Sequence, residues 1–245
     1  MLDSDSPGRE RENVMGRVRS GLRGRRRDLQ RLVRRARATG DLLRAKVVTT
    51  FYRRMVLFTY DLQAAPIPVF GTRIPVRYAT LTPEDAPAYR RFRPGVDARE
   101  IERRLARGDR CFVVWHGDRI MHECWVTASA RTYVPYLERD IRLEPGDAYF
   151  YGAYTDAKYR GQGLYTGCYS FIARVLQQEG RLRATALVAL ENRPAFVVLE
   201  RSGLIASGQY TFVRLGPWRR WWAAPFEGRA LLSLEPARSE PGHYP

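Results

Sequence analysis

A short glycine-bearing turn is the stretch of this sequence that most clearly indicates chemistry. It reads Arg160-Gly161-Gln162-Gly163-Leu164 and lies between an apolar run and a helical pattern. Such a turn leaves backbone N–H groups unpaired at a helix N-terminus, where the helix dipole favours an anion. Glycine lets the backbone approach a ligand closely, and Arg160 adds a positive charge. The turn predicts a phosphate site, with a ligand-free strand-to-helix turn as the alternative. Its spacing matches neither the dinucleotide GxGxxG nor a P-loop.

Glu123 is the main candidate for a general base. It lies between His122 and Cys124, and strand alternation puts it on the face opposite His122, so at most one of the two points at a substrate. A surface or salt-bridged role for Glu123 is the alternative, and Asp156 and Tyr151 are further candidates.

The cysteines and histidines form no metal-ligand pattern. The three cysteines are an odd number without CxxC spacing, and the three histidines complete no ligand set with them. We expect buried reduced thiols, which fit a cytoplasmic protein. The N-terminus lacks the apolar stretch of a signal peptide, and no apolar run approaches the ~20 residues of a membrane span, so the protein is expected to be soluble or peripheral to a membrane.

The elements that must position these residues alternate between strands and helices. Strand patterns occupy 74–80, 111–115, 119–127, 148–155, 183–190, 209–215 and 229–234, and helix patterns occupy 98–107, 163–179 and 193–201. A leading hairpin followed by alternating elements predicts an α/β fold with a mixed sheet. Residues 130–147 are expected to form a connection and 64–71 a linker. The aromatic run at 49–62 fits either a helix end or a strand.

Positive charge is concentrated at the N-terminus. Of the net charge of +16, residues 9–54 carry +12, from sixteen basic and four acidic residues. Apolar residues recur at helical spacing within this stretch. We therefore expect an arginine-rich helical extension at 1–70, a globular domain at 71–235 and a loose tail at 236–245. The basic stretch suits an anionic membrane surface, an acidic protein partner or, with less support, nucleic acid, and a solvated helical face is the alternative.

The glycine turn and the residues after it resemble the GNAT N-acetyltransferase superfamily. That family has a strand, then an Arg/Gln-x-x-Gly-x-Gly/Ala turn into a helix, which residues 160–165 match except at the last position. The family also has a later strand and an Asn-initiated helix, matched here by Asn192, Ala195 and Gly203. Order and spacing agree over residues 74–234. The resemblance implies a GNAT-type mixed, mostly antiparallel twisted sheet flanked by helices.

The resemblance also implies a reaction and a set of site residues. The reaction is acyl transfer from a coenzyme A thioester, acetyl-CoA or another acyl-CoA, to the amine of a small molecule or amino sugar. Backbone groups of Ala153 and Thr155 would hold the pantetheine arm where their strand splays from its neighbour. The pyrophosphate would bind at Arg160, Gly161, Gln162, Gly163, Leu164 and Tyr165. The catalytic candidates are Glu123 as the base, Tyr154 through its N–H, and Asn192 beside the pantetheine or thioester.

Two positions depart from the family pattern. Tyr165 replaces a small residue, so the turn is wider, the ring packs on the cofactor, or the ring faces the sheet. Leu199 lies seven residues after Asn192, where many members have a tyrosine as the proposed general acid. Solvent or another tyrosine would then protonate the thiolate. A catalytically silent GNAT-like binding module, acting through its basic arm, is the alternative function.

An aromatic and cationic segment at 217–226 is the candidate acceptor surface. It contains Trp218, Trp221 and Trp222 together with Arg219 and Arg220. In the resembled fold, the loop between the last two strands borders the acceptor channel, which implies a wall that stacks on sugars or bases and pairs with acidic groups. Packing against the N-terminal helices is the other interpretation.

Overall fold

A computed structural model of the chain describes residues 52–64, 66–226 and 228–237. The helices expected before residue 52 and most of the expected tail lie outside these ranges. The strands are β1 Tyr52–Asp61, β2 Arg77–Thr80, β3 Arg110–His116, β4 Arg119–Thr127, β5 Arg131–Val134, β6 Arg139–Arg142, β7 Asp147–Thr155, β8 Arg183–Ala189, β9 Ile205–Leu215, β10 Trp218–Pro225 and β11 Leu234–Glu235. The helices are α1 Ala86–Phe92, α2 Ala98–Ala106, α3 Leu164–Gln178 and α4 Arg193–Arg201. None of these four helices is long and apolar enough to cross a bilayer.

The main sheet has eight strands in the order β10-β9-β1-β8-β7-β4-β3-β2. The pairs β2–β3, β3–β4, β4–β7, β1–β8 and β9–β10 are antiparallel, and β7–β8 is parallel. The hairpin β3–β4 is joined by a tight turn at Gly117, as its sequence predicts. The predicted fold class, a mixed and mostly antiparallel sheet flanked by helices, is confirmed.

The strand β1 lies in the middle of the sheet, which corrects the domain boundary expected at residue 70. It pairs with β8 from Met55↔Ala189 to Asp61↔Arg183. Its residues 55–58 are all buried, because a central strand is covered on both faces. A continuous apolar run of this kind has no period-two pattern, which is why the sequence left 49–62 ambiguous. Residues 53–70 therefore belong to the same structural unit as the rest of the sheet.

Helices and a second sheet cover the two faces of the main sheet. On one face, α3 and α4 pack against the sheet through aromatic contacts. The ring centroids of Phe150 and Tyr169 are 4.7 Å apart, and those of Phe58 and Phe196 are 5.0 Å apart. On the other face, α1 and α2 pack over β3 and β4. The small sheet β11-β6-β5 packs there over β1 and β9. Tyr151 of β7 packs against both apolar clusters, the one under α1 and α2 and the one under the small sheet.

Two expected loops are strands in the structure. The connection expected at 130–147 contains β5 and β6, and the loop expected at 217–226 contains β10 at the edge of the main sheet. In turn, the strand expected at 229–234 is reduced to β11, which pairs with β6 rather than with the main sheet. Pro135, Pro145 and Gly146 had suggested a connection at 130–147, and the resemblance had implied a loop at 217–226.

Candidate functional site

The parallel strands β7 and β8 pair only at their beginnings and then diverge. Their register runs from Asp147↔Arg183 to Phe150↔Ala186, after which β7 continues to Thr155 with β4 as its paired neighbour. The last residues of β8 pair with β1 instead. Gly152 and Ala153 are exposed. A parallel pair that separates in this way leaves main-chain groups of β7 available to a ligand lying along the strand.

A β-bulge reshapes β7 at the point of divergence. Gly152 has φ +60°, and the register with β4 shifts between Glu123 and Trp125. A bulge inserts one residue and resets the alternation of side chains. Tyr151 and Tyr154 therefore lie opposite Trp125 and Glu123 on one face, while Thr155 lies opposite His122 on the other.

The glycine turn follows β7 and opens α3, as predicted. Gly161 and Gly163 have φ of +77° and +79°, in the left-handed region that favours glycine. No described group accepts a hydrogen bond from the backbone N–H groups of Leu164, Tyr165 or Thr166. A Cβ at Gly161 would meet no atom of the described residues within 4 Å. An anion such as a pyrophosphate therefore fits here, with free donors at the positive end of a fifteen-residue helix.

A segment of the expected linker crosses the turn and α3, and we call residues 68–74 the strap. The backbone N–H of Arg73 donates to the carbonyl of Gln162 at 3.0 Å. The Ser170 hydroxyl of α3 donates to the carbonyl of Pro68. A Cβ at Gly163 would lie 2.9 Å from the carbonyl oxygen of Gly71. The absence of a side chain at Gly163 thus allows the strap to pack against the turn. At Gly161, the space beside the backbone is not filled by described residues.

Tyr165 faces the sheet. Its ring lies 5.3 Å from the ring of His122, which itself is fully buried. Nδ1 of His122 is 2.7 Å from Oγ1 of Thr155, and Nε2 has no hydrogen-bond partner within the described ranges. Burial lowers the pKa of His122 to about 3, so the imidazole is neutral at physiological pH. The pair His122–Thr155 fixes the end of β7 immediately before the turn.

Arg160 is exposed beside this pair. Its Nε donates to the carbonyl of Thr155 at 3.4 Å, which ties the arginine to the end of β7. The other N–H groups of its guanidinium have no acceptor in the part of the chain that the structure describes. Arg160 and the free N–H groups of α3 thus lie on consecutive stretches of the chain.

Glu123 lies on the opposite face of the sheet in a closed network. It is 2% exposed and accepts hydrogen bonds from the Tyr89 hydroxyl, from Nη1 of Arg93 at 2.7 Å and from Nε1 of Trp125 at 3.3 Å. Burial raises the pKa of the Glu123 carboxyl, although the Tyr89 hydrogen bond and the charge of Arg93 oppose the shift. The Cys111 thiol also donates to this carboxylate, at 3.9 Å. A carboxylate with four donors and almost no exposure holds its neighbours in place more readily than it takes a proton from a substrate.

Tyr154 joins this network to the site of divergence. The guanidinium of Arg93 lies 4.1 Å from the centre of the Tyr154 ring, and Phe92 packs against the ring edge at 5.5 Å. The Tyr154 hydroxyl has no hydrogen-bond partner among the described residues. Arg93 is therefore held by Glu123 on one side and stacks on Tyr154 on the other.

Asn192 and Leu199 belong to α4. Asn192 is exposed and its side-chain oxygen accepts from the N–H of Ala195 at 3.3 Å, so it caps the helix. Leu199 is fully buried. Its side chain packs in the core.

The tryptophans of β10 divide between core and solvent. Trp221 stacks on Phe212 at 5.2 Å, donates from Nε1 to the carbonyl of Leu137 at 2.7 Å and lies under Arg139. Trp218 and Trp222 are exposed. The aromatic wall expected at this segment is therefore an edge strand with one anchored and two exposed tryptophans.

The structure brings together the end of β7 and the glycine turn, which carry most of the predicted binding residues. The sequence reasoning missed Arg93, Tyr89 and the strap. Arg93 and Tyr89 lie on or just after α1, far from Glu123 along the chain, and carry no local signal. The strap has the composition of a linker. Among the described residues, no cluster of three or more histidine, cysteine or acidic side chains is placed to hold a metal ion.

Comparisons with known proteins give structural neighbours only. No protein-family model matches the chain, and no curated protein matches it in sequence. A GNAT-family acetyltransferase from Novosphingobium aromaticivorans is similar in structure, with 17% identity, a TM-score of 0.45, and coverage of 65% of this chain and 62% of that one. A GCN5-related N-acetyltransferase from Sphaerobacter thermophilus has 15% identity, a TM-score of 0.49, and coverage of 71% and 55%. An aminoglycoside acetyltransferase from an uncultured soil sample has 13% identity, a TM-score of 0.39, and coverage of 52% and 86%. The chain thus spans about three fifths of the length of the first two.

Proposed function

We propose that this protein is an acyl-CoA-dependent N-acyltransferase of the GNAT type, with acetyl-CoA as its first candidate donor and the amine of a small molecule or amino sugar as acceptor. The observation that carries this proposal is the divergence of β7 from β8, which leads directly into a turn with free N–H donors. An extended ligand with a phosphate at one end and a reactive group at the other fits that arrangement.

The binding roles follow the order of the chain. Arg160 and the N–H groups of Leu164 and Tyr165 hold the pyrophosphate, with the open side of Gly161 beside it. Main-chain groups of Ala153 and Thr155 hold the pantetheine arm. Gln162 contributes to pyrophosphate binding indirectly, because its carbonyl accepts a hydrogen bond from the strap and so positions the turn. Asn192, with its oxygen in the helix cap, keeps its amide N–H groups for the arm.

The chemical roles centre on Tyr154. A bound acyl-CoA supplies a thioester carbonyl that an amine can attack. The N–H of Tyr154 points towards β4, because Asp156, two residues further along, donates to the carbonyl of Met121 in the same antiparallel register, which corrects the role expected for that N–H. The Tyr154 hydroxyl, which has no partner among the described residues, would donate a proton to the departing sulfur. We assign Glu123 the task of holding Arg93 against Tyr154 rather than that of the base. Water would then take the proton from the attacking amine.

Calorimetry tests the proposal. Acetyl-CoA should bind the full chain saturably, and Arg160→Ala should weaken that binding, with Arg99→Ala on the outer side of α2 as the control. A screen of amino sugars and amino acids, followed by release of free thiol, would then identify the acceptor. Failure of the wild-type protein to bind acetyl-CoA or longer acyl-CoAs would contradict the proposal.

A catalytically silent ligand-binding module is the second candidate, and the buried Leu199 favours it. Such a protein would bind acetyl-CoA without releasing thiol in the presence of any amine. An enzyme, by contrast, would release thiol in the presence of an accepted amine, and Tyr154→Phe should slow that release.

We further propose a cytoplasmic protein whose basic stretch at 9–54 binds an anionic membrane surface or an acidic partner. Its excess of arginine supports this proposal. Binding to vesicles of phosphatidylglycerol that disappears at high salt would support it, and binding to neither these vesicles nor acidic proteins would contradict it.

A further inference from the structure

Arg73 is an exposed arginine that the strap holds against the glycine turn. Its backbone N–H is bonded to the carbonyl of Gln162, the residue between the two turn glycines. No described carboxylate forms an ion pair with its side chain. The family pattern of the turn does not include this residue, because it comes from a segment almost ninety positions earlier in the chain.

The strap is fixed in place by several contacts. Thr72 donates from its hydroxyl to the carbonyl of Ile74 at 2.7 Å, and its methyl group would lie 3.3 Å from a Cβ at Gly167. The carbonyl of Gly71 occupies the space beside Gly163. Gly163, which caps α3, and Gly167 within it therefore allow the strap to approach, and the backbone of Arg73 is positioned before any ligand arrives.

Positive charge predominates at this corner. Arg73, Lys158 and Arg160 are exposed cations around the turn. Asp156 is the nearby acid in sequence, and its carboxylate accepts from the N–H of Lys158 at 3.0 Å. Three cations against one acid leave a local excess of positive charge, next to the free N–H groups of α3.

We infer that Arg73 is a phosphate-binding residue of the acyl-CoA site, an inference that rests on the proposed function. Arginine binds phosphate oxygens through two parallel N–H donors, so a second guanidinium beside Arg160 would add both affinity and orientation. The phosphate is either the pyrophosphate or the 3′-phosphate of coenzyme A. The strap thus contributes a charged side chain to the site in addition to covering α3.

Calorimetry with three ligands tests this role on the full chain. Coenzyme A, 3′-dephospho-coenzyme A and pantetheine are each titrated into the wild type, Arg73→Ala, Arg160→Ala and the control Arg99→Ala. Arg73→Ala keeps the backbone N–H that anchors the strap, and an unchanged melting temperature would verify that the fold is intact. We expect Arg73→Ala to weaken coenzyme A binding about tenfold and to leave pantetheine binding unchanged.

The ligands distinguish the outcomes. If Arg73→Ala also binds 3′-dephospho-coenzyme A about tenfold more weakly than the wild type does, Arg73 contacts the pyrophosphate. If the two proteins bind 3′-dephospho-coenzyme A equally well, Arg73 contacts the 3′-phosphate. If Arg73→Ala binds coenzyme A as the wild type does while Arg160→Ala binds it more weakly, the role of Arg73 is overturned and the proposed function stands. If the wild type binds no coenzyme A, the proposed function fails together with this inference.

Discussion

Acidification is expected to destabilise the fold through His122. In the folded protein, burial lowers the pKa of this imidazole from 6.5 to about 3. The folded state therefore binds fewer protons than the unfolded state between these values, so the stabilising contribution is complete above pH 6.5 and is lost as the pH falls towards 3. Between about pH 7.5 and about pH 5.5, this linkage lowers the free energy of unfolding by about 1.4 kcal/mol, and each further unit down to the folded pKa costs about as much again.

Urea unfolding at the two pH values, followed by tryptophan fluorescence, measures this effect. The comparison variant is His122→Gln, whose amide can still bond Thr155 but does not titrate. Groups common to both proteins cancel, so the wild type should lose about 1.4 kcal/mol more than the variant over this interval. An equal loss in both proteins would refute the assignment of a buried, neutral imidazole.

Four further substitutions test the packing of the site. Gly161→Ala should lower the free energy of unfolding in urea by about 1 kcal/mol, because alanine is strained in the left-handed backbone conformation. Gly163→Ala should lower it by ~1 kcal/mol more, because its Cβ also meets the strap. Equal losses in the two variants would contradict that contact. Glu123→Gln should lower the free energy of unfolding by about 2 kcal/mol, because Arg93 loses its counter-charge, but leave acetyl-CoA affinity unchanged in calorimetry. Leu199→Tyr should destabilise the fold by about 1–3 kcal/mol without raising the rate of thiol release, and a faster reaction would show that this position reaches the site.

The sequence predicted those parts of the fold that have a local signal. Alternation and a turn signal located the hairpin β3–β4, and the glycines located the start of α3. The central strand β1 was ambiguous because residues buried on both faces lose the alternation that identifies a strand. The edge strand β10 was expected to be a loop because the resemblance places a loop between the last two strands, and the exposed Trp218 and Trp222 give no buried face that would indicate a strand.

The site was predictable only where its residues are consecutive. The end of β7 and the glycine turn form one stretch of chain, so their proximity follows from the sequence. The contact of Arg93 with Glu123 and the position of Arg73 beside Gln162 both depend on long-range packing. The bulge at Gly152, which places Tyr154 on the face of Glu123, depends on the register between β4 and β7 and has no signal beyond a single glycine.

Backbone hydrogen exchange with and without acetyl-CoA tests the central claim most directly, namely that the ligand lies along β7 where β8 diverges. We expect slower exchange in peptides that cover 151–155 and 161–166 when acetyl-CoA is added, and no change in a peptide from the centre of β1. Unchanged exchange in both β7 and the turn at a saturating concentration of acetyl-CoA would contradict the account.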